Sequence, residues 1–268
     1  MFLLDAKIVK FHIFAVMIYP ENSLFARNQL LLGQSACADI SAVRVAVFGV
    51  GGVGSWCAEG LVRVGVKHIS LIDYDTISVT NVNRQLMATC STIGQPKVEA
   101  LRDRLLDINP HAEICCIHKA YNEETAGEFD LNSYDFIIDA IDQLKDKIRL
   151  ILDACDSKAI FFSSMGAALK VDPTQVKVAD FWKVRDCPLG AALRKRMRQR
   201  KMLPAHSFLC VYSGEVRDNA GAHQFAGDAL QTEAAAGGKA VVNGSLAHIT
   251  AIFGMTLCGL VLQSILEK

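Results

Sequence analysis

Residues 44–54 read Arg-Val-Ala-Val-Phe-Gly-Val-Gly-Gly-Val-Gly, a short apolar strand that runs directly into a G-x-G-x-x-G turn. The glycines of this turn are Gly49, Gly51 and Gly54. Because glycine has no Cβ, the backbone can approach a diphosphate, and the N-terminus of a following helix offers free N–H donors. Asp73, about 20 positions further on, suits the hydroxyls of a ribose. The pattern predicts that the chain binds an adenine nucleotide.

Apolar runs and amphipathic helices alternate from residue 43 to residue 163. The predicted strands are Val43–Phe48, His68–Asp73, Glu113–His118, Phe136–Ala140 and Ile160–Ser163. The predicted helices between them are Ser55–Val64, Pro96–Ile108 and Gln143–Ser157. Dense apolar runs are typical of parallel strands that are covered on both faces. The alternation predicts an α/β fold, a doubly wound and mostly parallel sheet with a Rossmann-like nucleotide site.

The composition sets limits on function. The 268 residues carry 28 Lys+Arg and 28 Asp+Glu, so the net charge of zero gives no general argument about nucleic acid. The nine cysteines form no C-x-x-C pair, which argues against a four-cysteine zinc site. Their scatter through apolar runs is typical of reduced, buried thiols in a cytoplasmic protein.

Two apolar segments raise the question of a membrane. Ile8–Tyr19 is short for a membrane span and lacks a small-residue cleavage site. Leu246–Leu266 is longer, but Gly254 and Gly259 interrupt it together with polar residues. We therefore predict a buried C-terminal helix and no stable membrane insertion, and we leave peripheral association open.

Two cations follow the second predicted strand. Arg84 lies in the long segment Tyr74–Gln95, and Lys97 lies at the start of the next helix. The glycine turn alone would favour a nicotinamide-dependent dehydrogenase. Two nearby cations instead suit a tail of two or three phosphates and a departing pyrophosphate. The length of the segment also supports a functional role, because long loops inside a compact domain are usually functional. We therefore expect ATP at this site.

A carboxylate and an N-terminal arginine complete the candidates. The strand Phe136–Ala140 leads to Asp142, and a carboxylate just beyond a central strand points into the nucleotide crevice. There it could hold a magnesium ion that bridges phosphates. Asp139 fits the same role or a helix cap. Arg27, ahead of the nucleotide fold, could act as an arginine finger on the ATP tail.

Six motifs stand in order over residues 27–142. They are Arg27-Asn28-Gln29-Leu30-Leu31-Leu32-Gly33, Gly49-Val50-Gly51-Gly52-Val53-Gly54, Asp73-Tyr74-Asp75, Asn81-Val82-Asn83-Arg84-Gln85, Gly94-Gln95-Pro96-Lys97 and Asp139-Ala140-Ile141-Asp142. Together they resemble the ATP site of the ubiquitin-activating superfamily, which includes the molybdopterin and thiamine-pathway adenylyltransferases. The resemblance implies an enzyme that adenylates a carboxylate and releases pyrophosphate and AMP.

The resemblance also implies a role for each candidate. The nucleotide would be bound by Gly49, Gly51, Gly52, Gly54, Asp73, Asn81, Arg84 and Lys97. Within this set Asp73 would take the ribose, and Arg84 and Lys97 would stabilise the departing pyrophosphate. Asp142 would position magnesium. Arg27 would reach the ATP of the partner subunit, because relatives are homodimers. The expected catalytic residues are thus Arg84, Lys97, Asp142 and Arg27.

Later segments resemble one branch of the superfamily, the tRNA threonylcarbamoyladenosine dehydratases. They are Ser163–Ala167, Asp172–Gln175, Asp186–Leu189 and Val211–Glu215. The branch is expected to activate a carboxylate on a modified tRNA adenosine, after which a ring closes. A tRNA substrate would give the basic run Arg194–Lys201 phosphate contacts, although a solvated helix face explains it equally well. Some members have a cysteine where this chain has Asn243-Gly244-Ser245, so we assign no catalytic cysteine.

The pattern changes after residue 165. We expect an apolar N-terminal segment at 1–22, a Rossmann-like adenylation core at 23–165, and a C-terminal substrate-binding and helical region at 166–268 that completes the same domain. In the last region we predict the strands Gln175–Asp180 and Ser207–Tyr212, the helix Cys187–Lys201 and a loop over Gly214–Gly244.

Other functions stay open at this point. One is an adenylyltransferase for the C-terminal glycine of a ubiquitin-like or sulfur-carrier protein, against which the basic helix and the missing C-x-x-C pairs argue. Another is a non-catalytic nucleotide- or RNA-binding module, against which the joint presence of Arg84, Lys97 and Asp142 argues. A NAD-dependent oxidoreductase ranks third.

Overall fold

The computed structural model describes residues 20–221 and 243–267. Its α-helices there are α1 Glu21–Leu24, α2 Ala26–Leu32, α3 Gln34–Ala42, α4 Gly54–Val64, α5 Lys97–Ile108, α6 Leu144–Asp156, α7 Pro188–Arg200 and α8 Ala247–Leu266. Its strands are β1 Arg44–Phe48, β2 His68–Ile72, β3 Glu113–Ile117, β4 Phe136–Asp139, β5 Ile160–Ser164, β6 Val176–Asp180 and β7 Leu209–Ser213. The segment Ile8–Tyr19 and the greater part of the predicted loop Gly214–Gly244 lie outside the described residues.

The strands of the described residues form one sheet in the order β3-β2-β1-β4-β5-β7-β6. Neighbouring strands are parallel except at the edge, where β6 runs antiparallel to β7. The predicted doubly wound, mostly parallel α/β sheet is confirmed, and every predicted strand is present. The strand order reverses between β1 and β4. In open α/β sheets, ligands bind beyond the carboxyl ends of the strands at such a reversal.

The central strands are apolar on both faces because helices cover both. Val45 and Val47 of β1 belong to the core under α4, α5 and α8, whereas Ala46 and Phe48 belong to the core under α6 and α7. Successive side chains point to opposite faces of a strand, so a strand with two covered faces has no polar positions. Only the first residue of β1, Arg44, is exposed.

The C-terminal helix α8 packs against α4 and is part of the core. Phe253, Leu257 and Val261 on α8 are fully buried. Within residues 20–221 and 243–267, α8 alone has the length and apolar composition of a membrane span, and half of its apolar window is buried in the fold. The predicted buried C-terminal helix is confirmed.

The cysteines are all free thiols. Five of them are buried, namely Cys57, Cys155, Cys187, Cys210 and Cys258. The prediction of buried thiols is wrong for Cys90 and Cys115, which are exposed. Cys115 lies on the edge strand β3 and Cys90 lies in a loop, where less of the fold covers a side chain.

The division of the chain at residue 165 stays a prediction. Strand β7, from the later part, pairs with β5 of the earlier part through Phe162–Leu209 and the two following residue pairs. The later part therefore extends the same sheet, which is the arrangement that the division assumes.

Candidate active site

The glycine turn joins β1 to α4 at the carboxyl edge of the sheet, beside the end of β4. Gly49 has φ +83°, and a Cβ on it would lie 2.8 Å from the carbonyl carbon of Ala140. A Cβ on Gly54 would lie 1.9 Å from the carbonyl oxygen of Gly49. Both obstacles are backbone atoms, which cannot rotate away. The first and third glycines of the motif are therefore required by the packing of the turn itself.

The middle glycine of the motif, Gly51, has more space around it than Gly49 and Gly54 have. The atom nearest to a Cβ on Gly51 would be Nε2 of Gln85, at 3.7 Å. The φ angle of Gly51 also lies outside the left-handed region. The fold alone does not require glycine here, so its presence fits the close approach of a ligand.

Ser55 also shapes the turn, although it is not among the site residues that the sequence predicts. Its buried hydroxyl donates to the carbonyl of Gly51 over 2.6 Å and accepts the N–H of Leu86 over 3.2 Å. The hydroxyl thus ties the glycine turn to the loop that carries Arg84. A serine directly after the last glycine, at a helix start, was the available signal.

Asp73 is a structural part of the turn. Its Oδ2 accepts the N–H of Val50 over 2.8 Å, and its Oδ1 accepts the N–H of Asp75 over 2.9 Å. Burial raises the pKa of Asp73, and the charge of Lys97 opposes that rise. Each carboxylate oxygen keeps a further acceptor site. The contact of Asp73 with a ribose stays a prediction.

Lys97 opens α5 and points back to the end of β2. Its Nζ lies 2.6 Å from Oδ2 of Asp75, and its side chain is only 7% exposed. The backbone N–H of Lys97 also donates to the carbonyl of Asp75 over 3.0 Å. A nearly buried ammonium of this kind is held in place by the fold, which is the state that charge stabilisation needs.

Three carboxylates lie near the phenol of Tyr74 at the same edge. Burial, with the charges of Asp75, Asp142 and Asp73, raises the pKa of Tyr74 to about 12. The hydroxyl oxygen accepts a hydrogen bond from Nε2 of Gln143 over 2.8 Å. Asp142 is therefore close to the residues that end β2, and its side chain is exposed.

Arg84 lies against the glycine turn. Its Nη1 donates to the carbonyl of Thr80 over 2.8 Å and to Oδ1 of Asn83 over 3.1 Å. A Cβ on Gly52 would lie 3.5 Å from Cγ of Arg84. The hydroxyl of Thr250, on α8, donates to the carbonyl of Arg84 over 3.3 Å. The structure thus brings Arg84 to the turn and anchors its loop on the C-terminal helix.

Asn81 is a buried residue that ends the short 3-10 helix Val79–Asn81. Its Oδ1 accepts the backbone N–H of Ser78 over 3.1 Å and so closes the start of that helix. Asn81 therefore shapes the loop of Arg84, and its predicted contact with the polyphosphate stays a prediction.

Asp139 does not cap the following helix, so that interpretation is wrong. The N-cap of α6 is Gln143, whereas Asp139 ends β4 and is fully buried. Its carboxylate pairs with Lys147 over 2.7 Å. The local sequence contains two aspartates three residues apart, Asp139 and Asp142, and it does not show which of them is buried.

Arg27 lies far from the glycine turn of its own chain. It is exposed on α2, and the next residue, Asn28, donates to the carbonyl of Arg63 over 3.1 Å. Arg63 is at the C-terminal end of α4, whereas the turn is at the N-terminal end. The 11 residues of α4 separate the two ends by about 16 Å.

The basic run also lies at the opposite edge of the sheet. Nη1 of Arg194 donates to the carbonyl of Phe181 over 2.9 Å, and the guanidinium of Arg198 lies 5.5 Å from the ring centre of Trp182. Phe181 follows the end of β6, which is at the amino edge because β6 is antiparallel. The guanidinium of Arg194 also lies 5.7 Å from the ring centre of Phe181. Two of the six cations are therefore held on Phe181 and Trp182, away from the predicted nucleotide site.

The chain is similar to a group of known proteins. A model of the ThiF family matches residues 25–268. The chain is 43% identical to tRNA threonylcarbamoyladenosine dehydratase of Bacillus subtilis (strain 168) over 175 residues, which are 65% of this chain and 69% of that protein. It is 35% identical to the protein of the same name from Escherichia coli (strain K12) over 174 residues, 65% of each chain. The alignments thus span roughly two thirds of these relatives.

A solved structure extends the similarity over nearly the whole chain. The crystal structure of E. coli tRNA N6-threonylcarbamoyladenosine dehydratase in complex with ATP has a TM-score of 0.79 and 29% identity. It covers 94% of this chain and 98% of that one. That complex agrees with the nucleotide that the glycine turn and its cations predict.

Proposed function

The chain belongs to the ThiF family, and on that premise we propose that it is an ATP-dependent tRNA threonylcarbamoyladenosine dehydratase. The observation that carries the proposal is that Arg84 lies against a glycine turn whose middle glycine is open, while Lys97 and Asp142 lie near the residues that follow β2. Adenylation needs cations at the phosphates and a carboxylate for a divalent ion. The relatives named above favour a carboxylate on a tRNA nucleoside as the acid to be activated.

The first step makes the threonyl carboxylate reactive. A carboxylate oxygen attacks the α-phosphorus of ATP, the bond to the bridging oxygen breaks, and pyrophosphate leaves. Negative charges crowd together in this transition state. Lys97 and Arg84 would offset that charge, each by about 3 kcal/mol as judged from single stabilising donors in other enzymes.

The second step closes a ring within the same nucleoside. The carbamoyl nitrogen attacks the carbonyl carbon of the acyl-adenylate, a proton leaves the nitrogen, and AMP departs with the former carboxylate oxygen. The sum is loss of water, driven by ATP. Because nucleophile and electrophile belong to one molecule, the reaction avoids the entropic cost of a bimolecular encounter. A covalent cysteine intermediate is not required.

Asp142 is the residue that would hold magnesium. Magnesium in nucleotide sites is usually bound by one or two carboxylates together with phosphate oxygens and water. A single exposed carboxylate fits this pattern, and among the described residues no group of three or more metal-ligating side chains forms a separate metal site. When bound, the ion supplies positive charge next to the phosphates.

The remaining residues would bind and orient the nucleotide. Gly51 and Gly52 would meet the phosphates with backbone N–H groups, and Asp73 would add ribose contacts to its structural bonds. Asn81 would support the polyphosphate. The reaction needs intracellular ATP and tRNA, so we place the protein in the cytoplasm.

The proposed activity is tested on tRNA nucleosides. After incubation of bulk modified tRNA with the protein and Mg-ATP, gentle nucleoside mass spectrometry is expected to show a loss of 18 Da, one water, from threonylcarbamoyladenosine. Heat-denatured protein and omission of ATP are the controls. An unchanged nucleoside, combined with pyrophosphate exchange that depends on a carrier protein with a C-terminal glycine, would favour the adenylyltransferase alternative.

Arg27 would act across a homodimer, since it lies at the far end of α4 from the turn of its own chain. An Arg27→Ala chain and a Lys97→Ala chain are each expected to be nearly inactive. Co-expressed, they would form mixed dimers in which one site has both residues, so activity should return to about a quarter of wild type.

With a different affinity tag on each variant chain, co-purification through both tags would check that mixed dimers form. A co-expressed sample that is as inactive as the two single variants, despite mixed dimers, would contradict action in trans. The control pairs Arg27→Ala with itself under two different purification tags, which should restore nothing.

A further inference from the structure

A buried ion pair joins the end of β4, three residues before Asp142, to α6, and it has no part in the chemistry above. Asp139 at the end of β4 and Lys147 on α6 are both fully buried, with Nζ 2.7 Å from Oδ2. The hydroxyl of Ser163 donates to the same Oδ2 over 2.7 Å. Buried ion pairs can often be replaced by apolar residues at no loss of stability. Stability alone therefore does not explain why these charges lie here.

The two charges hold both polar backbone groups of one residue, Ile141. Oδ1 of Asp139 accepts the N–H of Ile141 over 3.0 Å. Nζ of Lys147 donates to the carbonyl of Ile141 over 3.0 Å. That carbonyl belongs to the planar peptide unit that also contains the nitrogen of Asp142. Fixing the carbonyl therefore fixes the backbone at Asp142.

The other side of the same segment rests on the nucleotide site. The N–H of Ala140 donates to the carbonyl of Phe48, at the end of β1, over 2.8 Å. Gly49 approaches so closely that a Cβ there would lie 3.0 Å from the nitrogen of Ile141. The segment is thus held between the glycine turn and Lys147, and the exposed Asp142 extends from its end.

We propose that Asp139 and Lys147 are positioning residues that hold the backbone of Asp142 and so present its carboxylate to the divalent ion of the bound nucleotide. This inference rests on the proposed function, because it takes Asp142 as the ligand of that ion. Neither residue touches the nucleotide. Loss of a group that orients a metal ligand typically weakens metal binding about 10–100-fold.

The test measures the affinity of Mn²⁺ for the complex of the full chain with a non-hydrolysable ATP analogue, by electron paramagnetic resonance. Lys147→Met is expected to weaken Mn²⁺ binding about tenfold. Binding of the analogue in EDTA should change less than about twofold, since no metal takes part. In the Lys147→Met/Asp142→Asn double variant, the loss of Mn²⁺ affinity should equal the loss in Asp142→Asn alone, because both substitutions act through the carboxylate of Asp142.

The matched control is another buried charge that does not contact Ile141. Glu59, on α4, is buried and pairs with Arg63 over 2.8 Å and with Arg104 over 2.6 Å. Glu59→Gln should lower the unfolding temperature and leave Mn²⁺ affinity unchanged. An equal loss of Mn²⁺ affinity in Glu59→Gln would overturn the inference, and so would losses that multiply in the double variant.

A milder variant keeps the test valid if Lys147→Met does not fold. Ser163→Ala removes one hydrogen bond to Asp139 and is expected to weaken Mn²⁺ binding by about threefold. Unchanged Mn²⁺ affinity in a folded Ser163→Ala chain would then overturn the inference. Wild-type chain that binds no analogue at all would overturn the proposed function as well, whereas normal binding with no effect of Lys147 or Ser163 overturns the positioning role alone.

Discussion

Replacement of Lys97 by methionine is expected to lower kcat/KM for ATP-dependent pyrophosphate release by about 10²–10³-fold. Methionine keeps the buried stem and removes the charge. Its partner Asp75 and the nearby Asp73 then remain as negative charges beside the proposed phosphate site. The variant thus loses an attraction and exposes a repulsion in the transition state. The rate is measured with modified tRNA as substrate under single-turnover conditions.

A surface ion pair provides the control for charge removal. Lys119 pairs with Glu128 over 2.5 Å, and both side chains are about half exposed. Exposed pairs contribute little, so Lys119→Met should keep at least about half of the activity. If Lys97→Met kept more than about a tenth of the wild-type rate while Lys119→Met behaved as expected, the assigned role of Lys97 would be wrong.

The fold could be predicted well because its signals are local. The alternation of apolar runs with amphipathic helices determines the order of the elements. Because one helix connects β1 to β2, few alternatives remain to parallel pairing of these two strands. The strands of the described sheet follow the predicted bounds closely, including β6 and β7 from the later part. Their antiparallel pairing was not predicted, since no local pattern specifies strand direction at a sheet edge.

The sequence predicts the candidate site as a set of residues, but it does not predict the contacts among them. Lys97 and Asp75 are 22 positions apart, and nothing in the sequence states that their side chains meet. Asp139 and Asp142 are indistinguishable as local sequence, yet one is buried and the other is exposed. The position of Arg27 at the far end of α4 follows from how α2 packs, which depends on tertiary contacts. Burial and side-chain pairing are properties of the folded chain.

The glycines of the turn should divide into two classes when each is replaced by alanine. In Gly54→Ala the new Cβ would lie 1.9 Å from the carbonyl oxygen of Gly49, so the turn must open and α4 must shift on the sheet. We expect a loss of about 3 kcal/mol or more in the free energy of unfolding, together with loss of ATP binding. Urea denaturation and titration with ATP measure the two effects.

Gly51→Ala should show the opposite pattern, because the nearest atom to its Cβ would be 3.7 Å away. The free energy of unfolding should stay within about 1 kcal/mol of the wild-type value, because a Cβ has room at this position and Gly51 has an ordinary φ angle. ATP affinity should nevertheless fall about tenfold or more, because the methyl group would occupy the surface that we propose the phosphates approach. Gly127→Ala, with no atom within 4 Å of its Cβ, should change neither quantity. Wild-type ATP affinity in Gly51→Ala would mean that the nucleotide does not lie on the open face of the turn, and the roles proposed for Arg84 and Lys97 would lose their geometric basis.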